Sequence, residues 1–229
     1  VKPQASISVQ LGSEWRIRRP YIYRYLDKQY VDKFFESGTL RLSSFDAFSR
    51  HEDEQRLDIS EGKGIVAHRN SEGTGQTIIA AVGQGHDCYV LCTSTIHSKA
   101  IAEDFKTDSG FRINDIIGFA NAVSRQIQGF RRGLEGSCEY LEDKILNRDM
   151  GHIDLDSMRI SNDSNSLDMG KVMQSVFGMA GDDLFFIKHR KYASQNEYRL
   201  LWSTSNKMAP YIDIECPEAV RFCTRFEDF

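Results

Sequence analysis

Residues 188–202 read KHRKYASQNEYRLLW: a basic run, a polar Ser-Gln-Asn step, then a stretch that alternates like a strand. Successive side chains of a strand leave opposite faces, so Gln195, Glu197, Arg199 and Leu201 share one face. A carboxylate therefore stands where the chain enters a sheet, and the chemistry of the molecule is expected to centre on residues 192–202. Two readings of Glu197 stand side by side. It is either the partner of Arg199 or of a cross-strand base on a solvated edge, or a working carboxylate at the mouth of the sheet.

Upstream of this segment, residues 21–26 (YIYRYL) suit a pleated surface and place Ile22, Arg24 and Leu26 on one face and three tyrosines on the other. Asp27 offers a helix N-cap, Tyr30, Val31, Phe34 and Phe35 recur at helical spacing, and Gly38 stops the run. Residues 39–43 alternate as a second strand. Residues 65–67 and 77–82 are expected to pair as a hairpin around the turn-rich 70–75. The clearest apolar strand of the first half is 88–95, CYVLCTST, which ends in three hydroxyl residues.

Ile116, Ile117, Ala120, Val123 and Ile127 fit a helix that Gly118 weakens by ~1 kcal/mol. Residues 184–187 and 197–202 read as strands flanking a basic turn, 188–191, with final strands at 211–214 and 220–224. Polar residues 147–170 read as a long loop. The sum is an α+β chain, expected to be a single domain over 1–229.

The chain has 229 residues, 40% hydrophobic, 27% charged and 11% aromatic, the profile of a globular protein. A formal charge of −4 gives no global basic field for sequence-independent capture of nucleic acid. No apolar stretch is long enough to span a bilayer, and the polar, arginine-ended first twenty residues are unlike a signal peptide. A soluble, cytoplasmic protein with no membrane partner is expected. Cys88, Cys92, Cys138, Cys216 and Cys223 lack paired zinc-site spacing and are read as reduced thiols without a metal role.

The order of a strand with Arg24, a strand ending Thr93-Ser94-Thr95 and a late strand opening Gln195-Asn196-Glu197 resembles the arginine, serine-threonine-serine, glutamate plan of one branch of the mono-ADP-ribosyltransferases. The Gln-x-Glu form matches a variant of that branch's last motif. The chain is also similar to the prokaryotic family of domain of unknown function 2971. The shared features are the aromatic and basic first strand (Tyr23, Arg24, Tyr25), Cys92-x-Ser94, and a late Lys188…Glu197-x-Arg199 segment. The central triplet departs from Ser-Thr-Ser, and residues 49–52 read SRHE where the second family has an Asn-Asp-Pro-like turn.

The resemblance implies a split mixed β-sheet core with surrounding helices, and NAD as co-substrate with no metal. Breaking the nicotinamide–ribose bond develops an oxocarbenium-like cation, which a carboxylate near the sugar stabilises. Glu197 takes that role, with Gln195 contacting the acceptor and Ser94 orienting Glu197 or the ribose. Arg24 supplies a bidentate fork for the phosphates, Thr93 and Thr95 flank Ser94, and Tyr23, Tyr25 or Tyr192 is expected to stack on nicotinamide. The acceptor is a macromolecule, protein or nucleic acid, or water, and a toxin or phage-defence role is expected.

Two rivals remain. One is a non-catalytic module on the same scaffold that binds a nucleotide, nucleic acid or protein in phage defence or counter-defence. Another is a metal-dependent nuclease using Asp46, His51, Glu52, Asp53 and Glu54, with Asp154 and Asp156 a weaker acidic pair. Trp15, Arg16, Arg18, Arg19 and Tyr21 together with residues 188–191 also suggest a basic-aromatic stripe suited to a nucleic-acid strand or to the phosphates of NAD. Gly83-Gln-Gly85 lacks the setting of a dinucleotide fingerprint.

Overall fold

A computed structural model describes residues 7–9, 19–48, 63–69, 77–83, 85, 87–148, 156–161, 166–206 and 209–226. The strands and helices of the first half are β1 (Ile7–Val9), β2 (Ile22–Tyr25), α1 (Lys28–Ser37), β3 (Thr39–Ser44), α2 (Phe45–Phe48), β4 (Lys63–Arg69), β5 (Thr77–Gly83), β6 (Cys88–Ser94), α3 (Lys99–Asp104), β7 (Gly110–Ile113) and α4 (Ile116–Ser124). Those of the second half are β8 (Phe130–Ser137), β9 (Glu139–Leu141), β10 (Ile145–Arg148), α5 (Met169–Ala180), β11 (Ile187–His189), β12 (Glu197–Thr204), β13 (Tyr211–Glu215), α6 (Pro217–Val220) and β14 (Cys223–Phe226). The chain is α+β, with a large, mainly antiparallel sheet and several helices.

Nine strands form the main sheet, in the order β1-β8-β12-β6-β2-β7-β14, with β3 and β13 branching from β6. All eight residues of β12 are buried, because the strand lies between β6 and β8 and is covered on both faces. On one face Tyr198, Leu200 and Trp202 pack with Phe34, Phe111, Phe119 and Val123 of α1, β7 and α4. The Trp202 indole donates to the Ala120 carbonyl at 3.1 Å, so its one polar atom is satisfied inside the core. On the other face Leu201, Val90 and Leu134 pack with Phe45, Phe185 and Phe186.

Helix α1 follows the sequence pattern closely. Val31 and Phe34 are buried on its inner stripe, and Gly38 ends it at φ 75°, its N–H donating to the Phe34 carbonyl at 2.7 Å. A Cβ at position 38 would lie 2.3 Å from the Cys216 carbonyl carbon, so the close return of the chain before α6 also requires glycine. The expected hairpin is the antiparallel pair β4–β5, to which β10 adds a parallel strand.

Residues 184–187 do not form the expected strand: Asp183–Phe186 is a 3-10 turn, and only Ile187–His189 is extended. A short apolar run carries no periodicity that separates a strand from a buried turn. The last strand begins at Cys223 instead of at 220, because Pro217–Val220 forms the short α6. Within 147–170, Asn147 and Arg148 belong to β10, Asp156–Met158 is a 3-10 turn and Arg159 bridges Leu167, while residues 149–155 and 162–165 lie outside the described residues. Among the described residues no helix is long and apolar enough to cross a membrane.

Candidate functional site

Strand β6 changes partners along its length. Near its start Ser43 and Ser44 of β3 pair with Val90 and Tyr89; at its end Tyr23 of β2 pairs with Ser94. Between those contacts β2 and β3 diverge, and the sheet splits. A cleft of about 460 Å³ opens in the fork, with Arg24 from β2, Arg41 from β3, Cys92 and Ser94 from β6, and Glu197 at the head of β12 among its walls. Arg24 bridges the gap: its Nη1 donates to the carbonyl oxygen of Cys92, part of the stretch of β6 between the two arms.

The antiparallel register of β12 on β6 sets Glu197 directly opposite Ser94. Arg24, Ser94, Gln195 and Glu197, which the sequence order suggested as one site, all line this cleft, together with Thr93. Thr93 turns its hydroxyl to the Tyr198 carbonyl at 2.7 Å. Ser94 is buried, and its hydroxyl accepts from the Ile96 amide at 3.3 Å. Thr95, Tyr23 and Tyr192 do not line the cleft. Tyr23 packs against His97 and Phe226, Tyr192 lies buried under the ammoniums of Lys188 and Lys191, and the Thr95 amide donates to the Asn196 carbonyl. Tyr25 does reach the cleft.

Glu197 is 4% exposed and held from several sides. Lys188 Nζ donates to Oε2, and Arg199 Nε donates to Oε1 at 2.5 Å. The Cys138 thiol faces Oε1 at 3.8 Å, and the Glu197 amide donates to the Tyr140 hydroxyl at 2.7 Å. Lys188 also donates to Gln195 Oε1 at 2.8 Å, so one ammonium fixes both members of the Gln-x-Glu pair. Burial opposes the charge on Glu197, but Arg199 and Lys188 beside it outweigh that and hold the carboxyl below the usual glutamate range. The carboxylate is ionised at neutral pH. Burial pushes the Tyr140 phenol up, so its proton stays on.

Both readings of Glu197 thus meet in one place. It pairs with Arg199, not on a solvated edge but in the interior, and it faces a cleft. The partners that sequence reasoning undervalued are Lys188, Cys138 and Tyr140. Lys188, read as part of a solvated basic turn, lies buried on β11, because that strand pairs in parallel with β9 beside the head of β12. The Lys…Glu-x-Arg spacing was the signal for it. For Cys138 and Tyr140 the sequence held none.

The cleft's outer wall carries Tyr30, Lys33 and the Arg41–Asp213 pair, a two-bond fork at 2.7 Å for each bond. Asp156 of the weaker acidic pair is bound to Arg159 at 2.8 Å. Residues 51–54 and 154, with Trp15, Arg16, Arg18 and Gln84, lie outside the described residues, as does the side chain of Asp46. Among the described residues no three His, Cys, Asp or Glu side chains gather as a metal site. No family model, curated protein or solved structure matches the chain, so any functional reading stands on this cleft.

Proposed function

We propose that the protein is an ADP-ribosyltransferase-like enzyme that cleaves NAD and passes ADP-ribose to a macromolecule or to water. The observation that carries this reading is the meeting of Arg24, Ser94, Gln195 and Glu197 around one cleft at the fork of the sheet. Ser94 and Glu197 share the face of Tyr23 and Arg24 leaves the other, so the arginine and the carboxylate reach the cleft from the two sides of the sheet, which suits a dinucleotide threaded through the fork.

The chemistry asked of the site is modest. The bond from ribose C1′ to the nicotinamide nitrogen breaks, and its electron pair neutralises the pyridinium. The cation growing on the ribose needs a fixed negative charge, and a nucleophile then bonds to C1′ and loses its proton to solvent. Glu197 is an ionised carboxylate whose geometry is set before substrate arrives. Arg199 and the Cys138 thiol meet Oε1 and Lys188 meets Oε2, which keeps a further lone pair for a ribose hydroxyl. Arg24 provides the cation for the diphosphate.

Release of nicotinamide from NAD by the purified chain tests the reading, with Glu197→Gln expected to abolish release while circular dichroism shows a folded protein. Release that survives in Glu197→Gln removes the role given to that residue, and no release by the wild type removes the reading. One observation favours a second one, a site that binds a nucleotide without chemistry. Both oxygens of Glu197 already meet cations, which offset the negative charge that a ribose cation needs. Calorimetric NAD binding without nicotinamide release would select that alternative.

A further inference from the structure

At one end of the main sheet β2, β7 and β14 read IYRY, GFRI and CTRF: each contains an arginine and none a carboxylate. Arg24 and Arg225 leave the face opposite to Tyr23, where Arg24 donates to the Cys92 carbonyl and Arg225 pairs with Asp32 at 2.6 Å, and Arg112 brings its guanidinium to the face of Tyr23. The register links these strands to the cleft. Thr224 pairs with Arg112, Arg112 with Tyr23, Tyr23 with Ser94, and Ser94 with Glu197. Directly paired residues leave the same face of a sheet, so one row runs from exposed Thr224 to buried Glu197.

Aromatic rings cover the outer part of that row. Tyr23 meets Tyr21 at 5.7 Å, His97 at 5.3 Å and Phe226 at 6.0 Å between ring centroids. The Arg112 guanidinium sits 5.3 Å from the Tyr21 ring centre. Tyr21 is 42% exposed, and His97 and Arg19 are exposed beside it. Tyr25, 5.8 Å from Phe226, carries the aromatic surface into the cleft, which Phe105 also lines.

Rings on neighbouring strands with the Arg112 guanidinium among them and exposed Arg19 nearby in the chain match unpaired bases and the phosphates between them. A duplex hides the base faces that such a surface would stack. Strands lie about 4.8 Å apart, so Tyr23 stands about 10 Å from Glu197 across the sheet, within the reach of one splayed nucleotide. We propose that this face binds a single-stranded nucleic acid and delivers one of its bases to the cleft as the acceptor of ADP-ribose. The acceptor role rests on the reading that the cleft cleaves NAD. In the transfer a lone pair on the base forms the bond to ribose C1′ as the bond to nicotinamide breaks. Nicotinamide leaves with that bond's electron pair, and the base gives up its proton to solvent.

The test is fluorescence anisotropy of the full chain with a short dye-labelled oligonucleotide of mixed sequence, as DNA, as RNA and as the blunt duplex. Each binding sample is then incubated with NAD labelled in its ADP-ribose part. One or both single strands are expected to bind, more weakly as salt rises, and to take up the label. Tyr21→Ala and Arg112→Gln, both outside the carboxylate network, are each expected to weaken binding by about tenfold. Equal binding of the duplex, or wild-type binding by both variants, overturns the proposed face. Binding without label transfer overturns the acceptor role, and if nicotinamide is also not released, the NAD reading falls with it. Nicotinamide release without oligonucleotide binding, or label found only on protein, leaves the NAD reading standing and overturns the nucleic-acid acceptor.

Discussion

The ammonium of Lys188 closes on the carboxylate of Glu197 where both side chains are almost out of water, 8% and 5% exposed. Taking two charges into the interior costs several kcal/mol each, and their mutual attraction offsets this only with further hydrogen bonds. Arg199, Gln195 and Cys138 supply those bonds. The arrangement fixes which of the site's properties are sensitive to mutation.

Removing Lys188 takes one of two cations from the buried Glu197 and leaves it paired with Arg199. Lys188→Met is expected to lower the unfolding free energy by about 2 kcal/mol, the loss of a hydrogen bond between charged groups, measured by urea denaturation. Arg41→Ala removes a bidentate pair that is 57% and 49% exposed, and should cost about 1 kcal/mol or less. In a double-mutant cycle Lys188→Met and Glu197→Gln together should cost less than the sum of the two, and simple additivity would contradict the coupling.

The pH dependence follows from the direction of the Glu197 shift. Its carboxyl lies lower in the folded chain than the ordinary glutamate value of 4.5, so the unfolded chain takes up the proton first as pH falls. The stabilisation is complete above that value and is lost as pH drops below it toward the folded value. Denaturation series below pH 4.5 should show a steeper loss for wild type than for Glu197→Gln. Parallel slopes would contradict the assignment.

Arg24 has a structural task at the Cys92 carbonyl and a proposed one at a diphosphate. Arg24→Lys keeps the charge but loses the planar fork. NAD affinity by calorimetry is expected to fall by about tenfold, while nicotinamide release at saturating NAD changes little. A loss confined to turnover would move Arg24 from binding to chemistry.

Gly110 tests how tightly the outer arm is set. A Cβ there would stand 2.2 Å from the Arg24 carbonyl oxygen, too close for the β2–β7 pair to stay as it is. Gly110→Ala should destabilise by about 1–3 kcal/mol. Because the clash falls on Arg24's own backbone, NAD binding should weaken as well. Thermal melts and calorimetry on the same sample separate the two effects.

Much of the scaffold was legible because its signals are local. Phe34 and Gly38 mark the inner stripe and the end of α1, and Leu91 with its apolar neighbours marks β6. Strand β8, the other neighbour of β12, passed unnoticed: FRRGLEGS has two glycines and three charges, although Leu134 and Glu135 are buried. Its place is decided by the ladder to β12, a long-range fact. Arg24, Ser94 and Glu197 were found through their order along the chain, while Lys188 was misplaced, since KHRK in isolation has the composition of a solvated turn. The pairing of β11 with β9 turns it inward. Tyr140 and Cys138 come from a short strand and its approach, with no pattern to mark them.

The fork at β6 also has a mechanical meaning. Among the described residues one register pair, Tyr23 with Ser94, joins the β2–β7–β14 arm to the stem, whereas each strand within that arm is held by a ladder of four pairs. Side chains hold the arm to the stem as well, Arg24 on the Cys92 carbonyl, the Tyr25 hydroxyl on the Ile96 carbonyl at 2.8 Å and Phe111 in one core with Tyr198 and Leu200, so ladders set the shape of each side while side-chain contacts set the gap in front of Glu197.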